Sequence, residues 1–202
     1  MIDKYEIDAR SVNRLSEILL ADDWFVSVLE AERSVLGDSA YVTAGAIRDV
    51  VWDQLSGFAD HDSVDDVDIV YFDPFDVSQE RDKRYELELA SVLPNEKWEV
   101  TNQAGVHNWY HLRFGERSPP YTSLEHAIST YPEFAVCIAV RLSVEGELAV
   151  IAPHGLDDLF NMKVRRNPTQ VTEREFRSRL ARKNNYRRWL QVEIDSQPQR
   201  NG

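Results

Sequence analysis

Asp66 and Asp68 stand two residues apart in the stretch Val64-Asp65-Asp66-Val67-Asp68-Ile69-Val70-Tyr71-Phe72. The stretch alternates acidic and apolar residues before turning continuously apolar, the pattern of a strand with one end surfacing in a cleft. A period of two sends both carboxylates to one face. Two like charges so close, bordered by Asp65 and by Val67, Ile69 and Val70, repel one another unless a cation compensates. Hard oxygen ligands of this kind favour Mg²⁺, which keeps part of its water and takes one or two carboxylates together with phosphate oxygens. The chemistry implied is metal-assisted handling of a phosphorylated substrate. An isolated Asp-x-Asp is common, so the neighbouring elements must decide.

Two neighbours agree with it. Upstream, Ala40-Tyr41-Val42-Thr43 reads as a short strand that ends at Ala44-Gly45-Ala46, after which Ile47, Val50, Val51 and Leu55 follow helical spacing. Small residues there let backbone approach a ligand, and a new helix offers free N–H groups to an anion. Arg48, in the first turn, has the reach to meet a phosphate or to hold Asp49 or a strand carboxylate. Downstream, Trp98-Glu99-Val100-Thr101-Asn102 reads as a further strand. If it neighbours the aspartate strand, Glu99 completes a three-carboxylate metal site.

The elements that position these residues follow from periodicity. Residues 8–36 read as two amphipathic helices with a break near Ala21-Asp22-Asp23. Ser78 is the expected N-cap of a helix through Leu93, and Thr122 and Glu125 have capping-box spacing for a short helix, Glu125 to Thr130. Val136 to Val144 and Leu148 to Ile151, joined by Glu145-Gly146-Glu147, look like a hairpin. The order predicts an α+β (α/β-like) fold, a mixed central sheet flanked by helices. Trp24, Trp52, Trp98, Trp109 and Trp189 are assigned to packing. His107 and His111 have four-residue spacing but lack the acidic partner of a His-Glu-x-x-His site, so zinc is not expected.

Composition narrows the function classes. A chain of 202 residues with 43% apolar and 29% charged residues is that of a globular domain able to bury a core, which excludes disorder as its main state. The longest apolar run, Phe134 to Val140, is seven residues, against about 20 for a membrane span. No membrane partner is expected, and with no secretory signal visible the expected location is the cytoplasm. The lone Cys137, inside an apolar run, reads as a small buried hydrophobe. Net charge is −12, yet Asn161 to Leu190 holds ten bases against two acids. A basic helical extension at 161–190, lying against an acidic body, is the expectation. Long nucleic acid is disfavoured as a partner except for weak contact through that segment.

These motifs together resemble a known family. Ala44-Gly-Ala-Ile-Arg-Asp49, followed after 16 residues by Asp66-Val-Asp68-Ile-Val, is similar to the catalytic signature of the polymerase-beta-like nucleotidyltransferase superfamily, in the version found in tRNA nucleotidyltransferases. Ala127-Ile to Arg141-Leu, leading into Gly155-Leu-Asp-Asp-Leu159, resembles the segment that closes the catalytic head of those enzymes. A narrower likeness, over roughly residues 15 to 190, is to a small bacterial family of nucleotidyltransferases. It is carried by Gly45 to Asp53, Asp68 to Pro74, Trp98 to Gln103, His107 to Tyr110 and Ala152 to Phe160.

What the resemblance implies is a nucleotidyltransferase fold and metal-dependent transfer of a nucleotidyl group from a nucleoside triphosphate. Two Mg²⁺ ions would be held by Asp66, Asp68 and Glu99, and the triphosphate by the turn at Ala44 and Gly45 and the helix with Arg48. Asn102, Gln103, His107 and Tyr110 are carried over as nucleotide or acceptor contacts. The chain departs from the superfamily by having Ala44 where a glycine usually begins the turn. It also has Tyr131-Pro132-Glu133 where tRNA nucleotidyltransferases carry an Arg-Arg-Asp stretch. With the length and the acidity, this argues against a CCA-adding role and for a small-molecule or protein acceptor. The alternative is a non-catalytic nucleotide-binding or interaction module. The expected organisation is one domain, 1–195, with helices at 8–36, a catalytic core at 40–160, the extension at 161–190 and a disordered tail at 196–202.

Overall fold

Apolar residues at helical spacing form α1 (Ala9–Leu20) and α2 (Asp23–Leu36). The two separate at Asp22, which turns extended (φ −99°, ψ 107°) and accepts the Phe25 amide on its carboxylate at 2.8 Å. That N-cap starts the second helix. The computed structural model describes residues 7–59, 64–114, 118–182 and 184–195. Beyond α2 come β1 (Ala40–Thr43), α3 (Gly45–Ser56), β2 (Val67–Tyr71), α4 (Gln79–Val92), β3 (Trp98–Asn102) and α5 (Val106–Phe114). The chain continues through α6 (Leu124–Ser129), β4 (Ala139–Leu142), β5 (Leu148–Ile151), α7 (Asp157–Phe160), β6 (Lys163–Arg165), α8 (Glu173–Arg182) and β7 (Glu193–Asp195).

Five strands form a mixed sheet in the order β3-β2-β1-β4-β5, with β2 and β3 parallel and the other pairs antiparallel. The fold is α+β, as expected. Ala40, Val42, Val67, Ile69, Val100 and Val140 project from one sheet face into the main core, against Phe25, Val28 and Leu29 of α2, Ile47 and Val51 of α3 and Leu89 of α4. Phe25, Val28 and Leu29 are fully buried, which contributes about 1.5–3 kcal/mol each by removing apolar surface from water. The other face carries one register row, Glu99, Asp68, Thr43 and Ala139. Its apolar part, Ala139 with Tyr41 and Ile151, lies under Leu124 and Ile128 of α6, leaving the polar part of the row beside open space.

Local boundaries differ from the sequence expectation in three places. The aspartate strand begins at Val67 rather than Val64, because pairing with the neighbouring strand starts where the Val67 amide meets Lys97 O at 2.9 Å. Asp66 therefore precedes the strand. The short helix is capped by Ser123, whose hydroxyl accepts the His126 amide at 3.0 Å, while Thr122 bonds the His126 ring instead. Ser78 does stand at the N-cap of α4, but its hydroxyl bonds Asp76.

The segment 161–190 is not helical throughout. It opens with β6, which pairs in parallel with β7, and its helices are α8 and the 3₁₀ turn Asn184–Arg188. It does lie against the body's acids. Among the described residues three of its bases pair with acids of the body, Arg165 with Asp158, Arg179 with Glu133 and Arg188 with Asp53, while Arg166 and Arg177 pair with Glu173 of the segment itself and Lys163 with Glu193. The tail at 196–202 lies outside the described residues. Among the described residues no helix is long and apolar enough to cross a membrane.

Candidate functional site

A cavity of about 670 Å³ opens over the polar part of the register row. Its sheet side is Thr43, Asp68, Val70 and Thr101, its aromatic walls are Trp109, Tyr110, Tyr121 and Tyr131, and the remaining wall comes from residues 170–179. The alternation of the strands explains the sheet side: Asp68 and Val70 face the cavity, while Val67, Ile69 and Tyr71 go to the core. Thr43 donates its hydroxyl to Ile138 O at 2.5 Å and is hydrogen-bonded to Tyr131. Loss of water around the Tyr131 phenol, reinforced by the Asp68 charge, pushes its pKa up, so the phenol stays protonated beside that carboxylate.

The turn from β1 into α3 is built on Ala44, which lines the cavity with φ 57° and ψ −117°. This is the conformation of the first central residue of a type II′ turn, one that glycine adopts and a Cβ resists. The glycine next to it is in ordinary helical backbone, and a Cβ built on Gly45 would meet nothing within 4 Å. No side chain caps α3, so its first N–H groups are left to solvent or to an anion.

The three predicted carboxylates do not gather into one cluster. Asp68 and Glu99 are register partners across β2 and β3, but only Asp68 lines the cavity. Asp66 and Glu99 instead converge on the Lys97 ammonium, at 3.2 and 3.0 Å. Glu99 first, then Asp66, hold the Lys97 pKa above its usual value. Among the described residues no three His, Cys, Asp or Glu side chains stand close enough to hold a metal ion. The donor set itself suits a hard cation, since two of the carboxylates already share a positive charge.

The other predicted contacts divide. Ala44, Gln103 and Tyr110 line the cavity. Arg48 does not: it is 1% exposed, pairs with Asp49, bonds the Tyr186 hydroxyl at 3.2 Å and packs over Trp52 and Trp189. A phosphate cannot reach it there. Asn102, equally buried, clamps the loop after β2 by accepting the Asp73 amide and donating to Asp73 O and Asp76 O. His107 sits on α5 outside the cavity lining, its buried Nδ1 without a hydrogen-bond partner among the described residues.

Several cavity residues were not singled out from the sequence. Trp109, assigned to packing, does pack against Val106, Tyr121 and Ala127 and in addition lines the cavity, whereas Trp52, Trp98 and Trp189 are buried as expected. Arg174 and Arg179 were read only as part of the basic segment lying against the acidic body. The signal that singles out Arg179 is long-range: its Nε donates to Glu133 at 2.7 Å. Burial alone would raise the Glu133 carboxyl, but Arg179, Arg48 and the Tyr186 hydroxyl hold it below its usual range.

Comparisons with known proteins agree with this architecture. A solved NMR structure described as revealing a CCA-adding enzyme head domain superimposes with a TM-score of 0.75 at 27% identity, covering 91% of this chain and 95% of that one. A CCA-adding enzyme in complex with CTP aligns at 13% identity and a TM-score of 0.49, covering 91% of this chain and 43% of that one. A tRNA-processing enzyme aligns at 18% identity and a TM-score of 0.46, over 83% of this chain and 43% of that one. No curated protein matches. A family model described as nucleotidyltransferase matches residues 31–194, which span all the strands but the last residue of β7 and every residue of the cavity wall. The chain belongs to that nucleotidyltransferase family.

Proposed function

We propose that the protein transfers a nucleotidyl group from a nucleoside triphosphate to a hydroxyl of a small molecule or protein side chain. The observation that carries this reading is Asp68 on the cavity side of the sheet, in register with Thr43 and one residue from the uncapped start of α3. A cavity of about 670 Å³ is of the size that encloses small ligands. With six bases of the 161–190 segment already paired to acids, an extended polyanion is a poor acceptor.

In the reaction the acceptor oxygen bonds to the α-phosphorus, the bond to the bridging oxygen breaks, pyrophosphate leaves, and the acceptor proton passes to solvent. The free N–H groups at the start of α3 bind phosphate oxygens, and Gln103, Trp109 and Tyr110 are within the cavity to orient the nucleoside. Asp68, with Asp66 and Glu99 once these release Lys97, is the group that would hold Mg²⁺. A metal held there would neutralise phosphate charge and favour departure of pyrophosphate. Tyr131 stays protonated beside Asp68 and is hydrogen-bonded to Thr43, so it adds no second negative charge next to that carboxylate.

A second reading, a nucleotide-binding module without turnover, is favoured by the Lys97 bridge, which ties up two of the three carboxylates. Pyrophosphate release with each of the four nucleoside triphosphates, against a panel of hydroxyl acceptors, separates the two. Transfer requires that wild type release pyrophosphate and that Asp68→Asn lower the rate by about 100-fold or more. Nucleotide-dependent thermal stabilisation with no release under any condition selects the module.

A further inference from the structure

We infer that α8 is the anion-binding side of the cavity, with Arg174 and Arg179 receiving the triphosphate of the donor nucleotide. The inference rests on the nucleotidyl-transfer reading and adds to it the residues that hold the charged end of the substrate.

The helix has three distinct sides. Phe176 is buried in the core, and Glu173 is paired on the outside with Arg166 and Arg177. The third side, with Arg174, Ser178 and Arg179, faces the cavity. Glu175 also lies on this strip, but its carboxylate is committed to the start of the helix. It accepts the Thr172 amide at 2.8 Å and the Thr172 hydroxyl at 2.7 Å, and those bonds hold its pKa below the usual carboxylate range. The strip therefore presents two guanidinium groups and one hydroxyl to the ligand.

Arg179 is tethered in place. Glu133 accepts its Nε at 2.7 Å on one oxygen, and the other oxygen lies 3.9 Å from Arg48 in the first turn of α3. One buried carboxylate thus links α8 to α3, and Arg179 lines the same cavity as Ala44 at the turn into α3. A guanidinium carries five N–H donors in a fixed fork. Among the described residues only Nε is engaged, on Glu133, and the terminal amino groups are suited to grip phosphate oxygens in pairs. Arg174, exposed at the mouth, makes no hydrogen bond or ion pair among the described residues. A cation that is solvent-facing, unpaired and on a cavity wall otherwise rich in aromatic and small polar groups is suited to the polyphosphate and not to the base.

The test uses calorimetric titration of the full chain with inorganic tripolyphosphate and Mg²⁺, with the best-binding nucleoside triphosphate, and with the matching nucleoside. Arg174→Ala orphans no partner, and Arg179→Lys keeps a positive charge against Glu133 while losing the fork; unchanged melting temperatures verify the fold of both. The expected result is about a tenfold weaker affinity for tripolyphosphate and the triphosphate in Arg174→Ala. A smaller loss is expected in Arg179→Lys, with nucleoside binding unchanged in both. The inference is overturned if both variants bind tripolyphosphate within twofold of wild type, if nucleoside affinity falls equally, or if wild type does not bind tripolyphosphate. Its failure is distinguishable from that of the parent reading. Pyrophosphate release that needs Asp68 but ignores both arginines sinks only the arginines, whereas wild type that binds no nucleotide sinks the transfer reading.

Discussion

Glu133 and Arg179 form an ion pair at 2.7 Å in which the carboxylate is fully buried and the guanidinium borders the cavity. The pair joins α8 to the segment that follows α6, across 46 residues of sequence. Removing the acid leaves Arg179 without its ion-pair partner, the buried Arg48 with Asp49 alone, and the Tyr186 hydroxyl without its acceptor. Glu133→Ala is expected to destabilise the protein by about 3–5 kcal/mol, read as the shift of a urea unfolding curve. A loss under 1 kcal/mol, with α8 still in place by amide exchange, refutes the assignment of Glu133 as the fastening.

Ala44 holds a backbone conformation that costs a residue with a Cβ on the order of 1–3 kcal/mol. Ala44→Gly removes that strain, partly offset by the greater freedom of glycine in the unfolded chain. The net expectation is a gain of about 1 kcal/mol, or a melting temperature about 2–4 °C higher. A lower melting temperature would mean that the turn is not strained.

In the proposed metal site the Lys97 ammonium, paired with Asp66 and Glu99, would compete with a divalent cation for both. Exposed ion pairs of this kind are worth about 0.2–1 kcal/mol each. Lys97→Met is therefore expected to tighten Mn²⁺ binding about two- to fivefold, measured by paramagnetic line-broadening or calorimetry without nucleotide. Weaker binding in Lys97→Met would show that the lysine assists the site instead of shielding it.

Glu32 is fully buried on α2, and neither carboxylate oxygen has a hydrogen-bond partner among the described residues. Burial pushes its pKa up from 4.5 to about 8, opposed chiefly by Arg141. The folded protein then binds more protons than the unfolded chain between those values, so stability falls as pH rises from about 4.5 to about 8 and stays low above. Glu32→Gln is expected to flatten that slope and to stabilise the protein by about 3 kcal/mol at pH 9, with little change at pH 4. Equal stability of the two proteins at pH 5 and pH 9 overturns it.

Where local periodicity decided an element, the sequence was enough. The strand around Asp68, the strand Trp98–Asn102 and the turn at Ala44 are legible because apolar alternation and small residues act within a few positions. Arg48 was legible as a residue of the first turn but not in its role. Its environment is made by Tyr186 and Trp189, which arrive 138 and 141 residues later. Lys97 was missed for a different reason. Its bridge depends on where β2 begins to pair, and one residue of register decides whether Asp66 belongs to the strand or precedes it. Trp109 and the arginines of α8 could not be sorted by type, since a cavity wall and a solvated helix face use the same residues.

The inward commitment of the bases has a kinetic consequence. Net charge is −12, and six cations of the 161–190 segment are spent on the chain's own acids. An approaching polyphosphate therefore diffuses through a field of its own sign until it comes within reach of the cavity mouth. Salt shortens the range of that repulsion, to about 8 Å at physiological ionic strength. Capture of the nucleotide should consequently quicken as salt is raised, the reverse of an electrostatically steered encounter, and a metal-complexed nucleotide, carrying less charge, should arrive faster than the free one.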